Sequence, residues 1–108
     1  MELERRFSDA QLNQIVEEAT IYMCACPAQV AVQLRNLREL FQYQRNCEVE
    51  PGSDLAVHQV IAESTARVYA LMEDCMDQVL TLEGWDRATL RMPEGLSKRR
   101  DQLLGLDE

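Results

Sequence analysis

A chain of 108 residues is long enough to build one hydrophobic core and too short for two. Its 46% apolar and 28% charged residues exclude a disordered chain, and four glycines and three prolines are too few for the turns of an all-β fold. Nineteen acidic residues against eleven basic ones leave a net charge of −8, which repels polyanions and gives nucleic acid no footing.

No run approaches the roughly 18 apolar residues of a membrane span. The opening Met1-Glu2-Leu3-Glu4-Arg5-Arg6 leads into no apolar leader segment. The expectation is a single cytoplasmic domain over residues 1–108, in which the four cysteines are thiols or ligands and not disulfides.

Ser8 followed by Gln11 reads as a capping box, with Phe7 as a hydrophobic staple on Leu12, and a first helix is expected over 8–23. Leu12, Ile15, Val16, Ala19, Tyr22 and Met23 form its apolar stripe. Pro27 starts a second helix, 27–46, and leaves Cys26 at its N-cap, where unpaired N–H groups and the helix dipole favour a thiolate. Val30, Leu34, Leu37, Phe41 and Gln44 make its buried seam, widened by Leu40 and Tyr43; Arg35, Arg38 and Glu39 fall on the polar side.

Pro51-Gly52 marks a turn, Ser53 caps, and a third helix is expected over 54–82. Its main stripe is Ile61, Thr65, Val68, Met72, Cys75, Val79 and Leu82, flanked by Leu71, Met76 and Leu80. Two shorter helices cannot cover so wide an apolar face, so a homodimer or another protein partner is expected on Val68, Leu71 and Met72. Gly84 ends the helix, a fourth short helix is expected over 86–91, and the tail 94–108 is either helical or mobile. The fold expected is therefore an all-α antiparallel bundle of three main helices with a short C-terminal helical extension.

Chemistry rests on the cysteines. Folding the second and third helices back on one another gathers Cys24, Cys26 and Cys75 at one end and leaves Cys47 at the other. Three thiolates can hold zinc, copper(I) or an iron–sulfur cluster, or work as a redox sensor, and three buried thiols can equally be core. A fourth ligand would come from Asp74, Asp77 or, in an antiparallel dimer, His58 of a second subunit. No nucleophile elbow, phosphate loop or di-iron motif is present, so catalysis is not expected. The leading reading is a dimeric interaction or regulatory protein, with the thiolate metal or redox site as the alternative.

Overall fold

The structure is a computed structural model that describes residues 3–20 and 26–93. It is all-helical: α1 spans Asp9–Thr20, α2 Cys26–Glu48 and α3 Leu55–Glu83. The capping box is closed in both directions. The Ser8 N–H donates to Gln11 Oε1 at 2.8 Å and the Gln11 N–H to Ser8 Oγ at 3.1 Å, while Phe7 and Leu12 are both buried. α2 opens at Cys26 itself, one residue earlier than Pro27, which puts the thiol in the first turn instead of ahead of it. At α3 the cap is Asp54, whose carboxylate accepts from the Val57 N–H at 3.4 Å, in place of Ser53. Gly84, at φ 75°, takes the left-handed conformation that ends α3.

α2 packs against both other helices. Arg38 meets Tyr69 and Gln44 meets His58, so α2 and α3 are antiparallel; Asn13 meets Arg35 and Asp9 meets Arg38, so α1 is antiparallel to α2 as well. At 1.5 Å per residue α1 is about 18 Å long, whereas α2 and α3 run to about 35 and 44 Å. The three-helix core therefore fills one end only, around Leu12, Ile15, Ala31, Leu34, Met76 and Leu80. Toward the Pro51-Gly52 turn the bundle thins to the α2–α3 hairpin, with Phe41, Gln44, Ala62 and Thr65 buried in it.

The residues 86–91 do not form the expected fourth helix. Asp86 accepts from the Ala88 and Thr89 N–H groups at 2.9 and 3.0 Å, its N–H reaches the Arg91 carbonyl, and Leu90 adopts φ 56°. Those side-chain bonds compete with helix propagation, and the left-handed residue stops it after one turn. They also hold the Asp86 carboxyl below the usual carboxylate range. Trp85, Leu90 and Met92 still pack on the core, and Glu18 accepts from the Met92 N–H at 3.1 Å.

The phase of α3 differs from the sequence reading by one residue. Its buried positions are Ala62, Thr65, Tyr69, Glu73, Met76 and Leu80, so the helix is turned by about 100° relative to the expected stripe. Of the expected stripe, Leu82 is 85% exposed and Val68, also expected at an interface, is 46% exposed. On α2, Leu40 and Tyr43 lie outside the seam and Arg38 lies inside it.

Both corrections have one cause, a buried polar network. Glu73, only 2% exposed, accepts from the Arg6 N–H at 3.1 and 3.0 Å, the Phe7 N–H at 3.3 Å and the Tyr69 hydroxyl at 3.1 Å. Arg38, 6% exposed, donates through Nε to the Tyr69 oxygen at 2.7 Å and through its two Nη atoms to the Asp9 carboxylate and the Phe7 carbonyl. Satisfied in this way, polar side chains are admissible in the interior, and they strap residues 6–9 across the bundle. Arg6–Asp74 and Arg87–Asp77 ion pairs, both at 2.7 Å and both half-exposed, flank the strap on its α3 side.

Burial, reinforced by the Glu73 charge and opposed by Arg38, raises the Tyr69 pKa above its usual value near 10. The unfolded chain then loses this proton at lower pH than the folded one. Stability is fully present below about pH 10 and falls as pH rises from there through the folded value. Denaturation midpoints followed from about pH 9 to 11 are expected to decline in the wild type, and Tyr69→Phe is expected to flatten that decline.

Candidate interaction surface

Asp74 and Asp77 turn toward the N-terminal strap and the 86–91 turn. At 100° per residue, Val68, Leu71, Cys75 and Leu82 fall on the other side of α3, away from α1. α2 extends this flank with Val30, Leu37 and Leu40. Leu71 is 69% exposed, Val68 and Leu40 are exposed as well, and Met72, Val30 and Leu37 are half-buried against the core edge.

Between residues 26 and 44 of α2 and 57 and 82 of α3, the outward positions of this flank hold no Asp, Glu, Lys or Arg. Such a face is unusual on a chain that is 28% charged with a net charge of −8. The three residues expected at an interface, Val68, Leu71 and Met72, lie side by side on it. α1 packs on α2, and its Leu12 and Ile15 share the core with Met76 and Leu80 of α3, away from this flank.

The expected thiol site is placed only in part. Cys24 lies outside the described residues. Cys26 and Cys75 are half-buried on the open flank. With Arg38 level with Tyr69, Val32 stands level with Cys75, which puts Cys26 six residues, about 9 Å, further along the axis. Cys47 is at the far end of α2, as expected. Asp74 and Asp77 are engaged with Arg6 and Arg87, and His58 Nδ1 is 2.7 Å from Gln44 Oε1. Among the described residues no three of His, Cys, Asp and Glu gather to hold a metal ion. No helix among them is long and apolar enough to cross a membrane.

Sequence reasoning missed Arg38, Tyr69 and Glu73. Glu73 lies one residue beyond the expected stripe, and the only available signal was that Tyr69 and Glu73 continue the four-residue spacing from Thr65. Comparison with known proteins finds no matching family model, no matching curated protein and no matching solved structure.

Proposed function

We propose that the protein works by protein–protein contact, as a non-enzymatic interaction or regulatory module that dimerises through the open flank of α2 and α3. The observation that carries this reading is the uncharged apolar face of Val68, Leu71 and Met72, continued by Leu37 and Leu40. Leaving such a face in water forgoes about 25 cal/mol for each Å² of apolar surface, and a second helix pair of the same character would cover it. The thiolate alternative retains two of its three cysteines on this same flank.

The test is mass in native solution. The wild type is expected to run as a dimer at micromolar concentration, and Leu71→Glu to run as a monomer with unchanged helical content, because a charge buried in an apolar contact has no partner. A wild type that stays monomeric at tens of micromolar would remove the reading. Metal analysis of protein purified without chelator decides the alternative, since a thiolate site would carry near-stoichiometric metal that Cys75→Ser abolishes.

A further inference from the structure

On the outer flank of α3 one stripe keeps strict four-and-three spacing from Val57 to Leu82, a period of 3.5 that stays in line for about seven turns. Read from either end it has the same character except at one layer, where Ile61 on one side corresponds to Gln78 on the other. Exposed apolar residues, Val57 and Leu82, close it, Val68 and Leu71 form its centre, and a small side chain, Ser64 or Cys75, stands between on each side. Resting on the dimer reading and deepening it, we infer that the flank is covered by α3 of a second copy running antiparallel, with Val68 of each copy opposite Leu71 of the other.

This register also sets Ser64 opposite Cys75, Ile61 opposite Gln78 and Val57 opposite Leu82, so that every layer joins one a position to one d position, as an antiparallel coiled coil requires. Charge fixes it. Arg67 and Asp74 border the stripe on the edge that faces the N-terminal strap, and the register brings Arg67 of each copy beside Asp74 of the other, twice by symmetry. Sliding one helix by a heptad in one direction brings the two Arg67 side chains together at the dyad; sliding it the other way brings the two Asp74 together. A parallel pair would stack Ser64 on Ser64 and leave both charges without an opposite.

Arg67 is available for this contact, since it is exposed and donates only a 3.3 Å bond to Ser64 Oγ. Asp74 is half-exposed beside Arg6, and a carboxylate accepts from two donors at once. The same register keeps His58 about 9 Å along the axis from Cys75 of the other copy, which separates this dimer from one built to share a metal ion.

The experiment is a charge exchange on the full chain, read as the dimer dissociation constant by analytical ultracentrifugation, with helical content by circular dichroism as the folding control. Arg67→Asp and Asp74→Arg are each expected to weaken the dimer about tenfold, by turning two attractions into two repulsions, and the double exchange to restore it to within about threefold of wild type. Ser64→Cys under mild oxidation is expected to give a covalent dimer whose bridge maps to Cys75. A dimer indifferent to the exchange, or not restored by the double variant, overturns the register while leaving the dimer reading in place. A wild type that is monomeric throughout overturns both.

Discussion

Glu73→Ala is expected to lower stability by about 3 kcal/mol, a large share of the 5–15 kcal/mol that holds a domain of this size together. The carboxylate is the common acceptor of the Arg6 and Phe7 N–H groups and the Tyr69 hydroxyl. Without it the Phe7 amide and the Tyr69 hydroxyl are left in the interior with no acceptor, and bonds to a charged group are worth about 1.5–3 kcal/mol each. The chain escapes part of that penalty by releasing residues 3–8 to water, which caps the loss. Urea titration should show a lower midpoint and a smaller m value, because less surface remains to be exposed on unfolding. Glu73→Gln keeps the shape and one acceptor oxygen and should cost about half as much. An alanine variant as stable as the wild type would mean that the strap contributes nothing.

Arg38→Ala should be at least as damaging, at about 3–4 kcal/mol. The guanidinium serves Tyr69, Asp9 and the Phe7 carbonyl together and lies 5.6 Å from the Tyr69 ring centre. Truncation removes all three donors and opens a void between α1, α2 and α3. Arg38→Lys should recover less than half of the loss, because a point charge with rotating donors cannot reproduce the planar fork. Tyr69 joins Arg38 to Glu73, so the two alanine substitutions should not add. Their combination is expected to fall short of the sum by about 1 kcal/mol or more, measured as a double-mutant cycle in denaturant. Strict additivity would show that the two side chains act separately.

The features that were legible in the sequence are those set by a few neighbouring residues. Ser8 and Gln11 cap α1, Pro51-Gly52 turns the chain, and Gly84 stops α3, each because its own backbone geometry demands that residue type. The phase of α3 was not local. That helix has apolar side chains around most of its circumference, and hydropathy alone cannot separate a face that meets its own bundle from one left open. Tyr69 and Glu73 face inward because Arg38 and the amides of residues 6 and 7 satisfy them, and those partners are about 30 and 66 residues away. The helix expected over 86–91 does not form for a related reason. Asp86 is a good first-turn residue, but here its carboxylate binds the amides of 88 and 89 and closes a turn on itself. The flank bearing Val68, Leu71 and Met72 was legible as a surplus of apolar surface. Its place on the side away from α1 became visible only with α3 turned by one residue.

The strap also orders events during synthesis. The α2–α3 hairpin is closed by a short loop and can zip from the turn as soon as it leaves the ribosome, since loop closure there costs little. Residues 6 and 7 meet their acceptor only on residue 73. A segment translated some 66 residues earlier than its acceptor is therefore among the last to settle. Until residue 73 emerges from the exit tunnel, Phe7 and Leu12 have no finished interior to enter, and the nascent chain carries them exposed.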